Sequence, residues 1–371
     1  MAEPGLDRVP RGRVVSIDAL RGFDMFWIIG GDIFFRTLDD TFDTPLTAFL
    51  HRQVEHTDWH GFTFYDLIFP LFLFIVGVSM TYSTGKRLQR GDNRRELYGH
   101  VFRRFLILLA MGYIYNGLLD FQFGQLRHAG VLLRIAYCYL FTSLIMFNAG
   151  VRTQAVITAA LLLLYWALMA LVPVPGHGAG VLTPAGNLAG YVDRLLLPGK
   201  WNDYGGGDYL GILSYLSATG STMLGVLAGH WLRSGRSDGV LVRGLVVGGA
   251  AALFVALLWD LAFPINKPLW TSSYALYAGG WSCVLLAAFY WVIDMKGYQR
   301  WAFGFVVIGL NPLTIYLAQR LFDFGVIADI FVHGFIAGLG PYQPLFYVAC
   351  VFAVKWLFLY FLYRKRIFLK A

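Results

Sequence analysis

Charge is scarce in this chain. Only 14% of its 371 residues are Asp, Glu, Lys or Arg, where a soluble domain carries about 25%. In their place 57% are hydrophobic, and the mean hydropathy is +0.58. That balance argues against a set of soluble domains. Cysteine is also rare. Cys138, Cys283 and Cys350 each sit in an apolar run, so neither a disulfide framework nor a cysteine metal knuckle is expected. No internal repeat is visible, which counts against transporter folds built from repeats. A cleavable leader is not expected either, because its apolar core would be short and clean. Here the first apolar run follows Arg8, Arg11 and Arg13 and contains Asp18, Arg21 and Asp24. A retained first helix with its polar groups turned inward is the better reading.

What the chain does have is continuous apolar runs of about twenty residues, the length of a bilayer-spanning helix. The alternating segments of about ten residues that make a membrane barrel are missing. The runs fall at 17–37, 62–84, 101–118, 129–148, 152–172, 208–232, 240–259, 271–293, 301–319 and 343–363. They predict an all-α, polytopic membrane helix bundle with about ten transmembrane helices, read as one domain over residues 1–371. Residues 322–339 are apolar but short and carry Asp323, Asp329 and His333. A surface helix, a re-entrant segment and an eleventh span all fit them.

Positive charge orients the bundle. Arg8, Arg11 and Arg13 precede the first run, and Lys86, Arg87, Arg90, Arg94, Arg95, Arg103 and Arg104 follow the second. Arg233, Arg236, Arg243, Lys296 and Arg300 come next, and Arg364, Lys365, Arg366 and Lys370 form the tail. Ten spans put all of these on one side, so both termini are expected in the cytoplasm. The opposite loops are longer and less basic, with Asp39, Asp40, Asp43, Glu55 and Asp58 in 38–61 and Gly205-Gly206-Gly207 in 173–207. The net charge of +8 comes largely from this asymmetry, and orientation with lipid headgroup contact is the bland reading of the basic second loop. Attraction of a polyanionic ligand to the basic second loop is the sharper reading. No nucleic-acid partner is expected.

Ionisable groups at a membrane are costly and mark functional sites. The densest cluster runs from His56 through Asp58, His60 and Asp66 into the apolar Leu67-Ile68-Phe69-Pro70. A neutral imidazole can take a proton from an amine or hydroxyl and pass it on. Asp66, ten positions on, can hold one ring nitrogen, and Asp32 lies near the same end of the first run. A plain solvated loop histidine is the bland alternative. His51, His56 and His60 invite a zinc reading with Glu55 or Asp58, but Gly61 and the polar run argue for an irregular loop, and no metal is expected. Arg21 pairs with Asp18 or Asp24, or grips a phosphate. Arg134, in Val131-Leu132-Leu133-Arg134-Ile135-Ala136, needs a carboxylate or an anionic ligand. The Asn311 amide bonds a ligand or bridges helices. Gly77, Gly225 and Gly229 are read as close-packing positions.

These residues resemble the heparan-alpha-glucosaminide N-acetyltransferase family and its bacterial relatives. The resemblance rests on Ser16-Ile17-Asp18-Ala19-Leu20-Arg21-Gly22 and on the H-x-x-W-x-G-x-T-x-x-D-L-x-F-P stretch from His56 to Pro70. Gly130 to Arg134, Leu224 to Gly229, Pro264 to Trp270, Val292 to Gly297 and Gly309-Leu310-Asn311 extend it almost end to end. It implies acetyl-CoA as cytoplasmic donor, a glucosamine amine across the membrane as acceptor, and a ten-helix bundle that often pairs as a homodimer. The family's active-site histidine falls on His56 and its motif aspartate on Asp66. Its first-span asparagine falls on Asp32, a departure: an amide can donate to an oxyanion, whereas an ionised carboxylate repels one. Lys267, in the Pro264 stretch, joins Arg21, Arg134 and Asn311 as a candidate for holding the donor.

The expected function is therefore transfer of an acetyl group from acetyl-CoA to an amine or hydroxyl of a sugar or glycan on the outer face. His56, Asp66 and Asp32 are the expected catalytic residues, and the bacterial inner membrane is the expected location. A transporter or flippase without acyl transfer is the alternative, and a structural membrane protein is a third.

Overall fold

The computed structural model describes residues 14–368, and helices, turns and loops account for them without a strand. In chain order the helices are α1 (Val15–Phe26), α2 (Asp32–Phe42), α3 (Pro45–Gln53), α4 (Ile68–Gln89), α5 (Arg94–Tyr115), α6 (Val131–Asn148), α7 (Val151–Leu171) and α8 (Leu188–Leu196). They continue as α9 (Tyr215–Leu232), α10 (Asp238–Asp260), α11 (Ser272–Phe289), α12 (Phe303–Gly309), α13 (Pro312–Leu321), α14 (Phe324–Ile336) and α15 (Gln343–Arg364).

Each apolar run of the sequence falls on a helix. Among the described residues seven helices are long and apolar enough to cross a bilayer, the longest of them Phe64–Gln89. The pair Arg300–Gly309 and Pro312–Leu321, bent by 60°, makes an eighth when taken as one span. The two remaining expected segments are helical but less uniform. One is α1 and α2 with their charges, and the other is α9, rich in Gly, Ser and Thr. α14 has 13 residues, about 20 Å of helix, which is short for a hydrocarbon core of about 30 Å. The solvent of this bundle is legible in α10. Its apolar window is only 22% buried by the rest of the protein, and Phe254, Val255, Leu257 and Leu258 are exposed. An unburied apolar face of that length requires hydrocarbon around it, so the chain is an integral, multi-pass membrane protein. The terminal basic residues Arg8, Arg11, Arg13 and Lys370, which contribute to the orientation argument, lie outside the described residues.

The contacts divide the chain into two units. The first comprises Met1–Thr57, Thr63–Ile68 and Leu285–Ala371. In it α1 lies against α12 backbone to backbone. A Cβ on Gly22 would collide with the Phe305 carbonyl, and one on Gly309 with the Asp18 carbonyl. Val14, at the start of α1, offers no side-chain cap. Asp294 supplies one: its carboxylate accepts from the Val15 amide at 3.3 Å and the Ser16 amide at 3.1 Å, satisfying orphan donors at the positive end of the helix. Between α1 and α2 a π-helical turn, Trp27–Gly31, holds Gly30 at φ 145°, a conformation that favours glycine. Such wide turns interrupt the hydrogen-bond ladder and re-aim the helix beyond them, here α2 with Asp32 at its start.

The second unit comprises Asp58–Phe62 and Phe69–Val284. α4 and α9 approach closely because Gly77 faces the Thr222 carbonyl and Gly225 the Phe74 carbonyl with no room for a Cβ. A cluster of Tyr165, Met169, Val174, Leu188, Ala189, Phe263 and Leu269 forms a core under the 173–214 loop.

The glycine contacts make a test of packing. Gly309→Leu forces α1 and α12 apart, at a cost of about 1–3 kcal/mol or more, and the melting midpoint in detergent falls by several degrees. Gly248→Leu on α10, with nothing near its Cβ, leaves the midpoint unchanged or raises it.

Candidate functional site

The polar centre of the first unit is a buried carboxylate. Asp66 lies in a 3-10 turn, Phe64–Leu67, that leads into α4. Its side chain is 0% exposed, and it is surrounded by donors. Oδ2 accepts from the Thr63 amide at 3.1 Å and the Thr57 hydroxyl at 3.3 Å. Oδ1 lies 2.8 Å from His56 Nδ1. A carboxylate so placed only accepts, so Nδ1 carries a hydrogen and Nε2 becomes the basic nitrogen. The His56 side chain is 53% exposed. One edge of its ring is fixed at Asp66.

A second link joins His56 to the first span. Its ring lies 5.0 Å from that of Tyr65, and the Tyr65 hydroxyl is turned toward the Asp32 carboxylate, close enough to interact with it. Arg36 Nη2 approaches Asp32 at 3.9 Å, and Lys355 of α15 donates to the Ile29 carbonyl at 2.7 Å. His56, Asp66 and Asp32 therefore belong to one constellation, with Tyr65 as the bridge.

α3 is anchored to α2 beside it. His51 Nδ1 lies 2.8 Å from Asp39 and Nε2 lies 3.2 Å from Glu55. The His51 ring holds the Asp39 carboxyl below its ordinary range. His51 is thus engaged with the two acids beside it, and no group of three ligands is arranged to hold a metal ion among the described residues.

Arg21 and Asn311 form a separate pair of polar positions in the same unit. Arg21 Nη1 donates to Asp18 at 3.0 Å and to the Gly309 carbonyl at 3.2 Å. Of its two expected partners it takes Asp18. Asp24 is fully buried, and neither of its oxygens has a hydrogen-bond partner among the described residues. Asn311, at the break between α12 and α13, donates to the Ile367 carbonyl at 2.9 Å.

Comparison with known proteins decides what kind of chain carries these groups. The sequence profile described as heparan-alpha-glucosaminide N-acetyltransferase, catalytic, matches residues 13–261. The chain belongs to that family. The human heparan-alpha-glucosaminide N-acetyltransferase is 27% identical over 332 residues, covering 72% of this chain and 49% of the human protein. The mouse protein of the same name is 26% identical over 324 residues with the same coverage. The chain spans about half the length of the curated relatives it matches. The family profile stops short of Pro264 and Asn311, so the likeness is less than end to end by that measure.

In this acetyltransferase family member, the second unit holds the rest of the expected site residues. The Pro264–Trp270 stretch is a hydrogen-bonded loop. Asn266 Oδ1 accepts from the Leu269 amide at 2.7 Å, and Thr271 Oγ1 donates to the Pro264 carbonyl at 2.9 Å. The Ile265 carbonyl accepts from the Gly61 amide at 2.9 Å, and Asn266 Nδ2 lies 3.5 Å from His60 Nδ1. Two motifs roughly 200 residues apart in the chain are one piece of structure, and the half-buried Lys267 lies on it. Arg134 is 0% exposed on the first turn of α6. Its guanidinium lies over Trp270 at 4.7 Å and Tyr215 at 5.3 Å.

Sequence reasoning missed the acidic girdle of the 173–214 loop. Asp208 takes a two-pronged bond from Arg127 at 2.7 and 3.0 Å. Asp193 accepts from the amides of Asp208 at 3.1 Å and Ile212 at 2.9 Å. Burial outweighs those donors and pushes the Asp193 carboxyl up to about 6. A raised carboxyl binds its proton in the folded state over the window where the unfolded chain has released it. Its stabilising contribution is therefore full below about pH 4 and is lost as the pH rises through about 6. Between those values the melting midpoint of the protein falls more than that of Asp193→Asn, and equal slopes would contradict the assignment.

Proposed function

We propose that this chain is a transmembrane acyltransferase that carries the acetyl group of cytoplasmic acetyl-CoA to an amine or hydroxyl of a sugar at the outer face. The observation that carries this reading is the His56–Asp66 pair, an exposed imidazole held at Nδ1 by a buried carboxylate. Family membership supports acetyl transfer, and the relatives' name supports an amino sugar as acceptor. The inner membrane of a bacterium is the setting we infer.

His56 Nε2 takes a proton from the acceptor amine or hydroxyl as its nitrogen or oxygen attacks the thioester carbonyl. The new N–C or O–C bond forms, the C–S bond breaks, and the imidazolium returns the proton to the departing thiolate. The products are the acetylated sugar and CoA. Asp66 keeps the imidazole in one tautomer and stabilises its charged form. The two-step route through an acetyl-histidine uses the same nitrogen as nucleophile. Asp32, held by Tyr65 and Arg36, serves to position a cationic amine.

Arg21 and Asn311 suit the donor. Arg21 lies eleven residues before Asp32 on the first span, or roughly 16 Å of helical rise, a distance that the long arm of acetyl-CoA would cover between its phosphates and its thioester.

The bend between α12 and α13 favours a transporter reading, because broken helices mark substrate paths. Incubation with labelled acetyl-CoA and a panel of amino sugars separates the two. Label on a sugar supports transfer, whereas uptake of unmodified sugar with no labelled product supports transport.

A further inference from the structure

One basic side chain is not explained by its neighbours. Arg134 is fully buried on the first turn of α6. Nη2 donates to the Gly211 carbonyl at 3.4 Å and to Ser214 Oγ. Nε and Nη1 have no hydrogen-bond partner among the described residues, and the carboxylates of Asp208 and Asp193 act on the guanidinium through space without a close ion pair among those residues. Stacking on Trp270 and Tyr215 offsets only part of the cost of burying a charge. Two donors of a buried cation point to an absent anion.

The same face of α6 continues as an apolar stripe. Tyr137, Phe141 and Leu144 follow Arg134 at helical spacing, and all three line a groove of about 850 Å³. Leu161 of α7 and Thr219 of α9 line it too, and its volume is that of a ligand site. Its walls are mostly apolar, and among the polar groups in them the Tyr113 hydroxyl lies 3.4 Å from His128 Nδ1. Tyr215 lines the groove and also carries the guanidinium. Arg134 itself does not line the groove; the Tyr215 ring stands between its guanidinium and the groove, within membrane-spanning helices.

We propose that this groove binds one membrane lipid with an anionic phosphate head. Its chain lies along the Tyr137–Phe141–Leu144 stripe, and its phosphate oxygens accept from Nε and Nη1 of Arg134. Entry requires the Tyr215 ring to turn aside, since that ring touches both. Charge complementarity selects the occupant: a lipid without phosphate fills the apolar part and leaves the guanidinium as it was. The proposal stands apart from the role of His56 and moves Arg134 from the acetyl donor to a lipid.

The test uses the full chain in nanodiscs doped with phosphatidic acid carrying a diazirine in its acyl chain. Crosslinked peptides are mapped by mass spectrometry. Labelling is expected on α6 and α9 at the groove residues, displaced by excess unlabelled phosphatidic acid but not by diacylglycerol. Arg134→Gln should lower it at least about tenfold through loss of charge-assisted bonds. Leu161→Trp, which fills the groove and leaves Arg134 intact, should abolish it even where the arginine variant fails to fold. Equal labelling by a diazirine diacylglycerol, undiminished in a folded Arg134→Gln protein, would overturn the proposal in favour of bulk lipid. Absence of label from the groove would overturn it as well.

Discussion

His56→Ala lowers the rate of acetyl transfer by at least about 10²–10⁴-fold, the usual contribution of a positioned general base. The loss falls on kcat, because the imidazole acts on the proton of the nucleophile and not on the binding of acetyl-CoA. The variant folds normally. His56 is more than half exposed in an irregular loop after α3, and no apolar core depends on it. His56→Gln, which keeps a polar group of similar reach but cannot take up a proton, loses as much. Steady-state rates at saturating acetyl-CoA, together with melting midpoints of the three proteins, check both parts. Near-normal turnover in His56→Ala would mean that the base lies elsewhere.

Asp66→Asn produces the second large effect, about 10²-fold or more in kcat, by analogy with the buried aspartate of a hydrolase triad. The amide fits the same space and still accepts from the Thr63 amide. What it removes is the negative charge that stabilises an imidazolium, and its NH₂ group can turn to Nδ1 and favour the wrong tautomer. Asp66→Ala is expected to do more damage of a different kind. It strands the Thr63 amide and the Thr57 hydroxyl in a buried site, so stability falls along with activity. Comparing the two variants by melting and by kcat at saturating donor separates orientation from structure. An Asp66→Asn protein with unchanged kcat would remove the carboxylate from the mechanism.

The helices were readable because apolar runs of about twenty residues have few other uses, and each expected segment coincides with a helix. The His56–Asp66 contact was also readable. A histidine and an aspartate ten residues apart, on either side of a glycine and just before an apolar run, have a short path to each other. Tyr65 was not readable as the bridge to Asp32. The link depends on the π-helical turn at Trp27–Gly31, and one aromatic among so many carries no signal of its own. Arg134 was recognisable as costly, but its aromatic neighbours come from α9 and from a loop more than a hundred residues later. Trp270 holds that place at a positive φ of 51°, a strained conformation that no local pattern announces. The Asp193 and Asp208 bonds escaped for a similar reason. They tie amides of a Gly-rich loop whose course is set by those bonds themselves.

The most direct test of the central claim places purified protein in liposomes with labelled acetyl-CoA trapped inside and glucosamine outside. The account predicts labelled N-acetylglucosamine in the external medium, and its loss in His56→Ala liposomes of equal protein content. Labelled CoA-releasing turnover with no labelled glucosamine would reject this acceptor and keep the acyltransferase. Neither turnover nor acetyl-CoA binding, in protein that melts cooperatively, would contradict the account.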